Sequence, residues 1–135
     1  MTDNGFVGLV IVSHSASLAD GVADLVGQVA GPDVRVEAIG GGPGETLGSD
    51  GLRVYEALRR GAQGSGSVVL MDLGSSVLAV KAAFGELDPD ERARLRIADA
   101  PLVEGAVAAG VTASIGEDAD GVLRAAEEAR HAVKL

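Results

Sequence analysis

The sequence is short of several residue types, and each shortage narrows what the protein can be. It contains no cysteine, which excludes a disulfide framework, a thiol nucleophile and zinc sites built on thiolates. It has no tryptophan, one tyrosine and two phenylalanines, although 47% of its 135 residues are hydrophobic. The core must therefore consist of valine, leucine, isoleucine and alanine, a composition that suits helices packed on a parallel sheet.

Basic residues are also few, with 11 Lys and Arg against 20 Asp and Glu, for a net charge of −9. Nucleic acids and anionic membranes select basic surfaces, so we expect neither as a partner. The apolar run Phe6–Val12 is too short for a signal peptide or a membrane-spanning helix, and the residues before it carry no basic group. We expect a cytoplasmic protein with a single domain over residues 1–135.

Predicted strands and helices alternate along the chain. Apolar and β-branched runs predict strands at 6–12, 34–39, 67–72 and 95–98. Helical spacing and stop signals predict helices at about 18–29, 52–60, 77–87, 102–111 and 119–133. This alternation predicts an α/β three-layer sandwich, with a central four-stranded parallel sheet of order 2-1-3-4 and helices on both faces.

His14 is the leading candidate for a reacting group. It follows the first strand, and Asp72 ends the third. In the order 2-1-3-4 these strands are neighbours at the switch point, where open α/β sheets bind ligands. A carboxylate that accepts a hydrogen bond from one imidazole nitrogen leaves the other free to attack, so we predict that Asp72 orients His14. The alternative is a histidine that only packs or caps.

Other polar and glycine-rich segments indicate a function less specifically than His14 and Asp72 do. Ser13, Ser15 and Ser17 can cap the first helix or bind a phosphoryl oxygen, and capping is expected of at least one. The glycine-rich segment 40–51 matches neither the P-loop nor the dinucleotide-binding fingerprint, which leaves a flexible turn as the slightly favoured interpretation. The second histidine, His131, is expected to be solvated, and no metal site is predicted.

The predicted helix at 102–111 is rich in small apolar residues on all sides and carries one charge. A helix that is apolar on every face is usually buried on every face, which in a small domain indicates a subunit interface. An alanine-rich face exposed at the surface is the alternative.

Taken in order, the motifs resemble a known family. They are Val10-Ile11-Val12-Ser13-His14-Ser15, the glycine-rich stretch from Gly41 to Ser49, Asp72-Leu73-Gly74-Ser75, and Ala100-Pro101-Leu102-Val103-Glu104-Gly105-Ala106. The chain resembles, over nearly its whole length, the phosphotransferase subunits (DhaM) of phosphoenolpyruvate-dependent dihydroxyacetone kinases, whose domain is similar to the mannose-type enzyme IIA.

The resemblance implies a phosphotransferase component that relays a phosphoryl group. His14 would accept it from the phosphohistidine of the carrier protein HPr and pass it to ADP in the ADP-binding kinase subunit, for the phosphorylation of dihydroxyacetone. The family's aspartate near its phosphohistidine corresponds to Asp72. The family is dimeric, so a homodimer is expected. No cofactor is expected in this subunit, because ADP and Mg²⁺ would belong to the partner kinase subunit.

A phosphoryl group on His14 needs hydrogen-bond donors for its oxygens. Under this interpretation the expected donors are backbone amides and hydroxyls that need no cation. The predicted phosphoryl-binding residues are Ser15, Gly41, Gly42, Gly74 and Ser75.

Three other functions remain open. A mannose-type enzyme IIA of a sugar-uptake system would also carry a phosphohistidine but would feed a transporter; the segment 100–106 favours the dihydroxyacetone system. A non-catalytic regulatory module of the same fold would bind its partner without His14. An enzyme that uses His14 as a general base would have only Asp72 as a second group.

Overall fold

The computed structural model describes residues 4–42 and 46–135. Four parallel strands form one sheet in the order β2-β1-β3-β4, which confirms the predicted topology. The strands are β1 (Gly8–Ser13), β2 (Val36–Gly40), β3 (Ser67–Met71) and β4 (Leu95–Ile97). The helices are α1 (Ala16–Ala30), α2 (Gly51–Gly61), α3 (Gly74–Glu86), α4 (Pro89–Ala93), α5 (Leu102–Ser114) and α6 (Ala119–Glu128), followed by a 3₁₀ turn (Ala129–His131).

Helices cover both faces of the sheet, and alternate residues of each central strand serve the two cores. In β1, Leu9 and Ile11 pack with α1, α5 and α6, whereas Val10 and Val12 pack with α2 and α3. All four side chains are buried. This is why the sequence shows a continuous apolar run here rather than an alternating one.

The register of the central strands determines which residues lie side by side where the strands end. Val12 is paired with Met71, so the next residues along the two strands, Ser13 and Asp72, lie side by side at the carboxyl edge. On the other side of β1, Ser13 is paired with Gly40. The turns that follow β1, β2 and β3 therefore meet at one edge, as expected for a switch point.

Several helix boundaries differ from the predicted ones, and one helix is additional. Helix α3 begins at Gly74 rather than near residue 77, which brings a Gly-Ser-Ser sequence into its first turn. Helix α4 was not predicted, because Pro89 was interpreted only as a stop; it occupies the first turn after Asp88, whose side chain forms a capping box with Glu91. Helix α6 ends at Glu128 and tightens into the 3₁₀ turn.

Helix α5 is buried where it faces the sheet, α1 and α6, and its outer face is exposed in the single chain. Gly110 allows the close approach of α1, because a Cβ there would lie 2.6 Å from Val26 Cγ1. The outer face carries Val103 and Val111, which are 41% and 43% exposed, and Ile115, just after the helix, is 74% exposed. Across residues 4–42 and 46–135, no helix is both long and apolar enough to cross a bilayer.

Candidate functional site

His14 lies in the short turn between β1 and α1, half-buried at the carboxyl edge of the sheet. The turn is fixed by its neighbours on both sides. Ser15 has extended backbone angles and caps α1, its hydroxyl accepting a hydrogen bond from the amide of Leu18 at 3.3 Å. The amide of Ser15 donates to the hydroxyl of Ser13 at 3.0 Å. Of the two roles considered for Ser15, the structure gives its hydroxyl the capping one.

Asp72 reaches His14, but it holds the main chain rather than the ring. Its carboxylate accepts from the His14 amide at 3.0 and 3.2 Å and from the Ser13 hydroxyl at 2.7 Å. It also accepts from the Leu73 amide at 2.6 Å and the Ser76 hydroxyl at 2.7 Å. The predicted hydrogen bond between Asp72 and the imidazole is thereby corrected: the carboxylate ties the β1–α1 turn to the β3–α3 turn.

These hydrogen bonds also set the charge of Asp72. Partial burial acts to raise the pKa of the carboxyl group, since it disfavours the charged form. The hydrogen bonds from Ser76, Ser13, His14 and Leu73 outweigh burial and hold the pKa of Asp72 below its usual value. Asp72 is therefore a carboxylate at neutral pH, acting only as a hydrogen-bond acceptor.

The imidazole of His14 pairs with Ser75 instead. Its Nδ1 lies 2.6 Å from Ser75 Oγ. Ser75 reaches the ring because α3 begins at Gly74, which puts Ser75 in the first helical turn. The other ring nitrogen, Nε2, has no hydrogen-bond partner among the described residues. Ser75 is predicted to bind phosphoryl oxygens; in this structure its hydroxyl is paired with Nδ1 of the ring.

The amides of Gly41 and Gly42 are already used within the protein. Gly41 donates to the carbonyl of Ser13 at 3.3 Å, and Gly42 donates to the carbonyl of Thr46 at 2.7 Å. Phosphoryl binding by these two amides stays a prediction, and it would require these hydrogen bonds to break. Residues 43–45 of the glycine-rich segment, like residues 1–3, lie outside the described part of the chain.

Glycines in and next to this segment pack closely against the His14 turn. A Cβ at Gly40 would lie 2.4 Å from the carbonyl oxygen of Ser15, so only glycine fits there. Gly48 has φ +126° and donates its amide to the carbonyl of His14 at 2.9 Å. In its described parts, the segment thus supports the His14 turn.

Unused amides lie at the start of α3. The residue before the helix, Leu73, provides no side-chain cap. Within the described residues, the amides of Gly74, Ser75 and Ser76 donate to no acceptor. Helix N-termini attract anions through such free N–H groups and the helix dipole. Gly74 and the main chain of Ser75 therefore retain the donors that phosphoryl binding requires.

Exposed leucines flank this edge of the sheet. Leu73 is 63% exposed next to Asp72, and Leu78 is 70% exposed one turn after Ser75. Leu47 is 72% exposed beside Gly48. Clustered exposed apolar side chains commonly mark surfaces that contact another protein.

The second histidine is remote from this site. His131 lies exposed in the final 3₁₀ turn, as predicted. Among the residues that the structure describes, no three His, Asp or Glu side chains are grouped in a way that could hold a metal ion.

Comparison with known proteins assigns the chain to a family. The family model described as the PTS system fructose IIA component, EIIA-man, matches residues 8–123. The DhaM phosphotransferase subunit of a PTS-dependent dihydroxyacetone kinase from Lactococcus lactis is 31% identical over 109 residues, 81% of this chain and 84% of that protein. The chain belongs to the EIIA-man family and, within it, to the DhaM subunits. His14, Asp72 and Ser75 all lie inside the region that the family model matches.

Longer DhaM proteins match as well. The phosphoryl donor subunit DhaM of PEP-dependent dihydroxyacetone kinase from Klebsiella michiganensis is 40% identical over 132 residues, or 96% of this chain. The corresponding Escherichia coli subunit is 41% identical over 120 residues, or 87% of this chain. This chain spans only 28% and 25% of the lengths of these two relatives.

Solved structures share the fold of this DhaM-type chain. The crystal structure of EF1359, a protein of unknown function, has a TM-score of 0.81 and 31% identity, covering 90% of this chain and 92% of that one. A sigma-54 interaction domain protein from Enterococcus faecalis has a TM-score of 0.69 at 19% identity, covering 95% and 93%. At that identity the second match shows the fold alone.

Sequence reasoning missed Ser76 and the role of Ser75. The predicted helix begins near residue 77, so both serines fall in the connection before it, whereas α3 begins at Gly74. The available signal was the spacing of Asp72 and Ser76, four residues apart across a strand-to-helix junction, which allows a local side-chain hydrogen bond.

Proposed function

We propose that His14 is a phosphohistidine relay. It takes a phosphoryl group from phosphorylated HPr and passes it to ADP bound in the ADP-binding subunit of dihydroxyacetone kinase. The observation that carries the proposal is the half-buried imidazole itself. One of its nitrogens is held by Ser75 in the uncapped first turn of α3, and the other has no partner among the described residues. The names of the DhaM relatives, as phosphoryl donor subunits, support the same role.

Phosphoryl transfer through His14 requires one nucleophilic ring nitrogen. The lone pair of His14 Nε2 attacks phosphorus, an N–P bond forms, and the N–P bond of the carrier's phosphohistidine breaks with its electron pair returning to that ring. In the second step an oxygen of ADP attacks phosphorus, and the pair returns to Nε2. Phosphoryl transfer of this kind depends mostly on positioning and on stabilising charge spread over the phosphoryl oxygens.

The free amides of Gly74 and Ser75 are the donors we propose for those oxygens. They are uncharged, so they stabilise the phosphoryl group without holding it as a cation would. Asp72 contributes indirectly: by accepting from the His14 amide and the Ser76 hydroxyl, it fixes the distance between the reacting turn and α3. Mg²⁺, with ADP, belongs in this proposal to the partner subunit.

Two partners must reach the same histidine in turn. We propose that the exposed Leu47, Leu73 and Leu78 contact HPr and the kinase subunit alternately, because they flank the edge where His14 lies. A shared apolar contact allows exchange between partners. We expect the relay in the cytoplasm, where such carriers draw on phosphoenolpyruvate.

A homodimer is the proposed assembly. It is supported by the outer face of α1 and α5, which exposes Leu25 (41%), Val29 (45%), Val103 (41%) and Val111 (43%). Basic residues are absent from both helices. A second copy packing there would cover apolar surface that a single chain leaves in water.

The family description names a fructose IIA component, which favours one second candidate: an enzyme IIA of a sugar-uptake system. The regulatory module considered from the sequence is the third. The sugar-uptake IIA would be phosphorylated by HPr, but it would not transfer to the ADP-loaded kinase subunit. The regulatory module would bind its partner normally after His14→Ala.

Discharge is the step that separates these candidates. The protein is phosphorylated with phosphoenolpyruvate, enzyme I and HPr, separated from them, and mixed with the ADP-loaded kinase subunit. The proposal expects loss of the phosphoryl mass from this chain and formation of ATP. A phosphorylated chain that keeps its phosphoryl group in the presence of that subunit would contradict the dihydroxyacetone relay and favour sugar uptake. The same mixture without ADP is the control.

A further inference from the structure

We propose that Ser75 is a positioning residue that fixes the tautomer of His14. Its hydroxyl accepts a hydrogen bond from Nδ1–H, so the lone pair of the ring is on Nε2. The tautomer itself is inferred from the structure, in which Nδ1 lies 2.6 Å from Ser75 Oγ. Its importance for catalysis rests on the proposed function, because the relay needs Nε2 as the nucleophile.

A neutral imidazole carries one N–H, and a serine hydroxyl can either donate or accept. If Ser75 donated to Nδ1, the ring proton would lie on Nε2 and block the only nitrogen without a described partner. If Ser75 accepts, Nε2 presents its lone pair. Because Nδ1 is covered by the hydroxyl in both cases, only the second arrangement gives an accessible nucleophile.

Asp72 is not available for this task. Its carboxylate already accepts from two amides and two hydroxyls, those of His14, Leu73, Ser13 and Ser76. The two adjacent serines at the start of α3 therefore have different roles. Ser76 anchors the helix to the carboxylate, and Ser75 holds the ring.

A neutral hydrogen-bond acceptor for Nδ1–H also suits a ring that must later release its phosphoryl group. When Nε2 takes the phosphoryl group, the ring keeps its Nδ1 proton and gains positive charge. A carboxylate partner would form a stronger, charge-assisted hydrogen bond to that charged ring than a hydroxyl does. With Ser75, no proton changes place in either step: an N–P bond forms at Nε2 and later breaks there.

The test is the tautomer itself, read from ¹⁵N shifts and long-range ¹H–¹⁵N correlations of the His14 ring. It is measured on the unphosphorylated protein at about pH 9, above the range where histidine ordinarily titrates. We expect mainly Nδ1–H in the wild type. Ser75→Ala should move the tautomer ratio toward Nε2–H by about threefold to tenfold, the range expected for loss of one neutral hydrogen bond. Ser76→Ala is the matched control and should leave the ratio near that of the wild type.

Three results would overturn the assignment. They are a wild-type ring protonated mainly on Nε2, an unchanged ratio in Ser75→Ala, and an equal shift in Ser76→Ala, which would attribute the tautomer to the general packing of α3. The measurement needs no phosphoryl donor. A ring with the expected tautomer that cannot be phosphorylated would count against the relay and leave the role of Ser75 standing.

Discussion

At the scale of single residues, Asp72 joins the two turns that build the site, and its removal should affect both stability and transfer. In Asp72→Ala the hydroxyls of Ser13 and Ser76 lose their acceptor. Leaving partly buried donors unpaired costs about 1–3 kcal/mol of the free energy of unfolding. We expect that loss by urea denaturation, together with slower phosphoryl acceptance by a chain that still folds. Wild-type rates would show that the link between the turns does not serve the reaction.

The charge of Asp72 gives this effect a pH dependence. Because the folded protein lowers the pKa of Asp72, its carboxylate stabilises the fold above the unfolded pKa of about 3.9, and this contribution disappears as pH falls through the folded pKa. The stability difference between wild type and Asp72→Asn should therefore be constant near neutral pH and shrink in acid. A difference that grew on acidification would contradict the sign of the shift.

At the scale of secondary-structure elements, close backbone approach at Gly40 positions the His14 turn. A Cβ there would lie 2.4 Å from the Ser15 oxygen and 2.7 Å from Ala16 Cα, so Gly40→Ala must displace main chain. We expect a loss of about 1–3 kcal/mol of stability and a lower rate of phosphoryl acceptance.

Gly27→Ala is the matched control for this change. Gly27 lies in α1, and a Cβ there would meet nothing within 4 Å. Alanine should raise helix stability by up to about 1 kcal/mol there without changing transfer. Equal stability of Gly40→Ala and Gly27→Ala in thermal unfolding would show that the close approach at β2 does not constrain the site.

Much of this architecture could be predicted from the sequence. The apolar runs of β1 and β3 reflect burial on both faces of the sheet, and strand order alone brought His14 and Asp72 to one edge. Which atoms meet could not be predicted, because that depends on where α3 begins. Gly74 and Ser75 are weak helix formers that the sequence favours as a connection, and the contacts of Ser75 with His14 and of Ser76 with Asp72 cannot be read from the sequence. The sequence also does not show that the Gly41 amide donates to Ser13 in the neighbouring strand, or that the Gly42 amide donates locally to Thr46.

At the scale of the whole molecule, the exposed face of α1 and α5 predicts self-association. Val111→Glu would place a charge in that face, on a helix position 43% exposed in the single chain, and should weaken a dimer without unfolding the protomer. Sedimentation equilibrium should give a dimer mass for the wild type and a monomer mass for Val111→Glu. Ala82→Glu, which adds the same single negative charge at an exposed position on α3, is the control that should remain dimeric. A monomeric wild type would contradict the proposed assembly.

The most direct test of the relay is the intact mass of the protein after incubation with phosphoenolpyruvate, enzyme I and HPr. The account predicts the addition of one phosphoryl group to the wild type and to His131→Ala, and none to His14→Ala with its fold retained by circular dichroism. An unmodified wild type with competent donors, or a His14→Ala chain that still gains the phosphoryl group, would contradict it.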